Sequence, residues 1–509
     1  MNSRFRLRVS TLLIYHYSSI RTISNSGEIL VSPIPSFSTS TKDHKPQTTS
    51  IDDQALKIQT LLKSHFHEPV ESIERLLEQC NPSLSHELAL NVLKRHRSDW
   101  KSAHTFFRWL SGPENSSGYA PETSVYNEIL DTLGRNHRFD ELRQLLDELP
   151  RREKPMIERT YAIVVRRLAA AHKVDEAIQF FDRMEEGLGL RRDLAAFQTL
   201  LLALCRYKHV EMAELVFRNR KSEFNVDIKT WNIVLNGWCL LRSLPDAKRF
   251  WRDILASECK PDRYSYGIFI NSLCKCGKAR RALELLRAMW EEGCSPDAAI
   301  CNTVIEGLCF KKMIPEALEV FREMREKGCS PDAATYNSLI KHLCKIQRMD
   351  AVEELLKEME ENGGFEANAL TYGCLVRAAK SVEQVDGILE RMKERGCEVG
   401  GDLYNLVLRL FVKWGDEERV RCVWGEMERR GVGPDRRSYT IVVHGLCEMG
   451  RVGAALEYFA EMECKGMAPE PRTKVLVEEM RCKLNQGEMG LRKGDTSLKL
   501  SPKRLNKNC

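Results

Sequence analysis

The stretch AATYNSLIKHLCKIQRMDAVEELLKEMEENGGFEAN, from Ala333 to Asn368, decides the fold. Its first half carries Tyr336, Leu339, Ile340 and Leu343 at intervals of three and four. Its second half carries Val352, Leu355, Leu356 and Met359 in the same rhythm. Such spacing places each apolar set on one face of a helix, so the stretch reads as two amphipathic helices, A and B, joined by a short turn.

The pattern recurs on both sides. From Thr123 to Glu470 it gives ten units: 123–157, 158–193, 194–227, 228–262, 263–297, 298–332, 333–368, 369–400, 401–435 and 436–470. In the register of the units, position 4 is Tyr or another large side chain in nine of the ten. Position 20 is Ala at 177, 213, 247, 282, 317 and 455, where a small residue lets helices approach. Position 27 is Met at 184, 289, 324, 359, 427 and 462. Helix B often ends at Gly, as at 293, 328 and 466, and Pro-Asp follows at 261–262, 296–297, 331–332 and 434–435. A single unit cannot bury its own apolar faces, so units must stack on one another. The expected fold class is an all-α solenoid of stacked helix-turn-helix repeats.

These residues resemble the pentatricopeptide repeat family. TYNSLI (335–340), GLC, EAL, FREM and KGCSPD (327–332) stand where that family has them. The tetratricopeptide repeat has 34 residues and an early Trp and Leu-Gly pair, which are missing here. The resemblance implies a right-handed superhelix whose concave groove is lined by the A helices. It also implies that position 5 and the last residue of each unit read one base of a single-stranded RNA. Position 5 is Asn at Asn127, Asn232, Asn302, Asn337 and Asn405, and elsewhere Ala162, Gln198, Gly267, Gly373 and Thr440. The last residue is Asp at Asp193, Asp227, Asp262, Asp297, Asp332 and Asp435, then Asn368 and Glu470, with Ile157 and Gly400 as departures.

The residue chemistry runs in parallel. Asn is a poor choice inside a helix, so five of them at one register position suggest amides aimed at a partner. An amide donates and accepts, whereas an ionised Asp only accepts and so favours bases with a ring N–H. An Asp just before helix A is also a good N-cap on its own account. Position 13 is basic at Arg135, Arg206, Lys275, Lys345 and Lys413, a stripe suited to phosphates, and equally to the negative end of helix A.

Outside the array, residues 1–40 hold four Arg, one Glu and many Ser and Thr, as organelle transit peptides do. The early arginines favour mitochondria, with chloroplast as the alternative. Residues 41–83 read as a polar linker with poorly assigned helices, 84–122 as a capping hairpin, and 471–509 as a partial helix with a basic tail. The chain's +6 charge resides in its two ends, since residues 481–509 hold eight Lys or Arg against two acids. Net charge of the body therefore gives no support to RNA binding, which rests on local arrangement. No stretch approaches the ~20 apolar residues that span a bilayer.

Cys205, Cys239, Cys274, Cys309, Cys344 and Cys447 share position 12, and Cys259, Cys294 and Cys329 share position 32. Fixed register makes them small buried hydrophobes. No C-x-x-C occurs, so the zinc deaminase combination of H-x-E with C-x-x-C is not met. The 39 residues after Glu470 are too few for a nuclease domain. The expectation is of a non-enzyme with no cofactor, metal or small-molecule substrate. Its partners are single-stranded organellar RNA and other ribonucleoprotein subunits, the alternative function being a structural role in an organelle ribosome.

Overall fold

The computed structural model describes residues 51–80, 82–112, 119–148, 157–185, 190–361 and 364–485. The expected transit peptide, residues 41–50 and the tail from 486 onward lie outside the described residues. Every regular element among those described is a helix, and none is long and apolar enough to cross a membrane.

Each unit forms a hairpin, as in Ala298–Phe310 with Ile314–Glu326, and Ala333–Lys345 with Met349–Glu361. Every A helix packs against the A helix of the next unit, and each B helix packs against its own A helix and, in the units from 158 to 332, against the A helix that follows. The A helices thus form one continuous inner layer, held by neighbour-to-neighbour contact. Its core is a ladder of position 4 rings: Tyr126, Tyr161, Tyr336, Tyr372, Tyr404 and Tyr439 are all fully buried. The position 20 alanines are buried beneath them.

Close approach between A helices depends on glycine at position 10. A Cβ on Gly237 would stand 2.8 Å from Cys205 Sγ, and one on Gly307 would stand 2.9 Å from Cys274 Sγ. Real Cβ atoms do not approach that closely, so the position 12 cysteines fit against a backbone with no side chain. Burial pushes the thiols of Cys205, Cys274, Cys309 and Cys344 up to about 12. They stay protonated and act as packing groups.

Helix A ends the same way in most units. The N–H of position 16 returns to the carbonyl of position 11, as in Lys278 to Leu273 at 2.8 Å and Met313 to Leu308 at 2.9 Å. Position 15 is then left-handed, with φ of 69° at Lys208, 57° at Arg242 and 63° at Lys312. Gly277 and Gly450 take the same place at 68° and 73°.

Upstream of the units there are two hairpins. His86–Arg95 with Trp100–Ser111 falls in the segment read as a cap. Ile51–Ser64 with Val70–Cys80 forms a further hairpin within the segment read as a polar linker with poorly assigned helices. At the other end, Pro471–Asn485 packs on Arg436–Glu448 as an A helix would.

Candidate nucleic-acid interface

The last residue of a unit is the N-cap of the next A helix. The Oδ1 of Asp193, Asp227, Asp262, Asp297, Asp332 and Asp435 accepts the backbone N–H three residues on, at 2.7–2.9 Å. Each of these Asp residues has extended backbone just before its helix, as a cap requires.

The same oxygen accepts the position 5 amide of its own unit. Asn232 Nδ2 donates to Asp262 at 3.1 Å, Asn302 to Asp332 at 3.0 Å, and Asn405 to Asp435 at 3.3 Å. Gln198 Nε2 reaches Asp227 at 3.0 Å. The row of amides therefore points at the following cap. Position 5 is not splayed into open space: Asn232 and Asn405 are 2% and 3% exposed. Capping and pairing are two uses of one carboxylate.

A hydroxyl at position 3 of the next unit completes the cluster. Thr335 Oγ1 accepts from the Asp332 backbone N–H at 3.1 Å. It lies 2.6 Å from Asn302 Oδ1 and 2.9 Å from Asp332 Oδ1. The hydroxyl is within donating distance of both oxygens, and donation to Asn302 Oδ1 orients the amide with Nδ2 toward the carboxylate. Ser438 repeats this at Asn405, at 2.7 Å. The hydrogen bonds to Asp227, Asp262, Asp332 and Asp435 gather on Oδ1, while the Ala334 and Arg437 backbone N–H groups also act on the Asp332 and Asp435 carboxylates. Burial pushes the Asp332 carboxyl up, but the bonds from Asn302 and Thr335 outweigh it and hold the group below its usual range. Asp262 and Asp435 behave alike. All three are anions at neutral pH.

Other predicted pairs are not joined. Asn127 belongs to a unit that ends in Ile157, and both its amide atoms are buried with no hydrogen-bond partner among the described residues. Asn337 accepts from Thr371 at 2.6 Å, and Asn368 caps the next helix through Leu370 and Thr371. Asp193 and Asp297 act as caps, with Ala162 and Gly267 offering no side chain that could donate to them. Thr440 donates to the Arg436 carbonyl while Glu470 stands 4.0 Å from the Arg436 guanidinium. Gly373 and Gly400 contribute no side chain.

Of the position 13 cations, Arg206, Lys275, Lys345 and Lys413 are exposed and form no ion pair among the described residues. Arg135 is committed to Asp131 at 2.8 Å. Reasoning from charge alone missed two members of this row: Leu240 and Phe310 hold position 13 in their units, 64% and 77% exposed. The row was legible as a register position, though its apolar members carry no charge signal. An open cavity of about 990 Å³ lies over the unit 263–297, lined by Tyr264, Gly267, Lys275 and Asp297 among others.

Fold and site together define a helical-repeat solenoid with periodic cap-and-amide clusters along its A helices. The PPR repeat family model matches residues 226–275, 296–345, 331–380 and 403–448, and the PPR repeat model matches 159–187, 264–294 and 437–467. A putative pentatricopeptide repeat-containing protein of Arabidopsis thaliana is 56% identical over 406 residues, 80% of this chain and 77% of its own. A mitochondrial pentatricopeptide repeat-containing protein of the same plant is 34% identical, over 80% of this chain and 71% of its own. The maize pentatricopeptide repeat protein PPR10 superposes with a TM-score of 0.54 at 22% identity, over 86% of this chain and 67% of that one. The chain belongs to the pentatricopeptide repeat family.

Proposed function

We propose that the protein is a non-catalytic, sequence-selective binder of single-stranded organellar RNA, taking about one base per unit and acting by occupying the strand. Reading one base per helical repeat with two or three side chains is an attested mode of RNA recognition. The observation that carries the proposal is the repeated cluster at Asn232/Asp262, Asn302/Asp332 and Asn405/Asp435. Each sets an amide beside an ionised carboxylate, and at Asn302 and Asn405 a Thr or Ser hydroxyl also holds the amide oxygen, which at Asn232 has no partner among the described residues. An acceptor-only oxygen favours a base with a ring N–H, uracil or guanine.

With the N-terminal units toward the 5′ end, Asn232/Asp262 and Asn302/Asp332 take U. Asn337/Asn368 takes C or U, and Asn405/Asp435 takes U. Gly267/Asp297 and the unit 369–400 are unassigned, so the core reads U-n-U-Y-n-U. Lys275 and Lys345 serve the phosphates, and Lys345→Ala weakens binding to every sequence alike. The transit-like first forty residues, together with relatives named as mitochondrial, support action in mitochondria.

The test is a binding titration of the full chain against RNAs that differ at one base. Opposite Asn302/Asp332, U should bind tighter than A by about 1–3 kcal/mol, the range for a single mismatch or stacked base. Equal affinity for U and A, in protein shown to be folded, overturns the reading and leaves capping as the role of Asp332.

A further inference from the structure

The turns between A and B helices carry a charge that local structure does not explain. Residues 206–209, 240–243, 275–278, 310–313 and 345–348 hold nine Lys or Arg and no Asp or Glu. The turns between B and the next A are the reverse: 221–227, 256–262, 292–297 and 327–332 hold seven acids and three Lys. One edge of the stack is therefore positive and the other negative, although the body as a whole is close to neutral.

A cation in the last turn of helix A is favoured by the helix dipole, which accounts for Lys275 and Lys345. It does not account for the positions that follow. Position 15 is left-handed at Lys208, Arg242 and Lys312, as it is at His137, His172 and Gln347, a conformation that suits Gly and strains a residue with a Cβ. Gly277 takes the same position without strain. Next in sequence, Lys278 is the N-cap of Ala279–Glu291 and makes no capping bond, at a helix end that repels cations. None of these charges forms an ion pair among the described residues. Strained backbone and unpaired charge at the same repeated turn suit a polyanion that supplies what the protein does not.

Phe310 stands in this row. It is 77% exposed, occupies the register position that Lys275 and Lys345 hold in the flanking units, and is followed by Lys311 and Lys312. Aromatics set among cations are how proteins hold single strands, the rings stacking bases while the charges track the backbone.

We propose that the A–B turns from residue 206 to 348 form a second RNA-contacting surface along one edge of the solenoid, in which Lys208, Arg242 and Lys312 hold backbone phosphates and Phe310 stacks an unpaired base. This rests on the RNA-binding reading above and adjoins its phosphate cations Lys275 and Lys345, but involves none of its base-reading residues.

Glycine provides a clean test. The variant Lys208→Gly/Arg242→Gly/Lys312→Gly removes three charges and relieves three left-handed side chains, so its Tm stays level or rises. The probe is a single-stranded RNA carrying U-n-U-Y-n-U with U-rich flanks, bound to the full chain over a range of salt. The slope of log affinity against log salt should fall by about 2, at roughly 0.7 per phosphate released on single strands. Phe310→Ala should lower affinity about 10-fold with no change in Tm, a typical loss for one base–aromatic stack. Preference for U opposite Asn302/Asp332 is measured in the same proteins. An unchanged slope with that preference intact overturns the second surface alone. Loss of the preference in the unaltered protein overturns the base-reading proposal instead. If the glycine variant loses binding to anionic phospholipid vesicles while its RNA slope is unchanged, the edge is a membrane surface and the proposal fails.

Discussion

The units 298–332 and 369–400 share a fold and differ in almost everything that gives a unit an identity. In the first, Asn302, Asp332 and the following Thr335 form a closed cluster of hydrogen bonds across the seam between units. In the second, Gly373 and Gly400 stand at the equivalent places, and helix A is Ala369–Ala378, 10 residues against 13 in Ala298–Phe310. Gly400 still has cap geometry, φ −80° and ψ 166°, but no side chain to cap with. Stacking persists without the cluster, because buried Tyr372, Leu375 and Val376 still present an apolar face to the next unit. Apolar register builds the solenoid, and the polar cluster individualises a unit within it.

Four experiments bear on this comparison. The largest effect should come from Asp332→Ala, which removes a cap and strands a half-buried amide. A lost cap costs about 1 kcal/mol and an unpaired buried donor about 1–3 kcal/mol more, read by denaturant unfolding. The same substitution at Asp297, which has no amide partner, should cost only the cap. Equal losses at the two sites would mean that the Asn302 bond contributes nothing. Next, Asn302→Thr should turn that unit from U toward G, since Asp332 still demands a ring N–H, with discrimination of about 1–3 kcal/mol in a binding titration.

Installing the cluster where it is missing is a smaller effect of opposite sign. Added Cβ atoms at Gly373 and Gly400 meet nothing within 4 Å. Gly373→Asn with Gly400→Asp should therefore stabilise the chain by a few tenths of a kcal/mol through the new cap, since Gly is already a tolerable N-cap, and give that unit a preference for U. A fall in Tm would show that this unit needs its glycines.

The smallest effect concerns pH. Asp262, Asp332 and Asp435 have folded-state pKa values below the ordinary 3.8. Protonation is thus harder in the folded than in the unfolded chain. Their stabilisation is complete above the unfolded value and lost as pH falls through the folded one, a window below about pH 4. A triple Asp→Asn variant should lose stability less steeply there, with no difference in slope near neutrality.

The fold was legible because Tyr, Ala, Met and Pro-Asp repeat in one register, and repetition turns weak local signals into one strong one. The partner of each amide was harder to see. Asn232, Asn302 and Asn405 each lie thirty residues before the Asp they touch. That spacing is present in the sequence, but it carries no sign of burial, so amides turned inward read as amides turned out. The hairpin Ile51–Ser64 and Val70–Cys80 reads only as poorly assigned helices for a related reason. Its stripe of Ala55, Ile58 and Leu62, then Ile73 and Leu77, has helical spacing but lies outside the register of the units. Phe310 carries no charge, so a cationic stripe at position 13 gives no sign of it.

The seam at Asp332 also governs how such a chain can be rearranged. The carboxylate's bond to Asn302 joins side chain to side chain, while its bond to the next helix needs only a main-chain N–H, which any successor supplies. Cutting after Asp332 therefore keeps the particular contact inside the transplanted piece and leaves the generic one to cross the junction. The exception is Thr335, whose hydroxyl anchors Asn302 from the far side. A piece whose third residue is Ile, as Ile300 is here, could not supply it. The vocabulary of this array is thus contextual: a unit's letter is spelled partly by the one that follows, and shuffled arrays should keep their meaning only when each successor opens with Ser or Thr in third place.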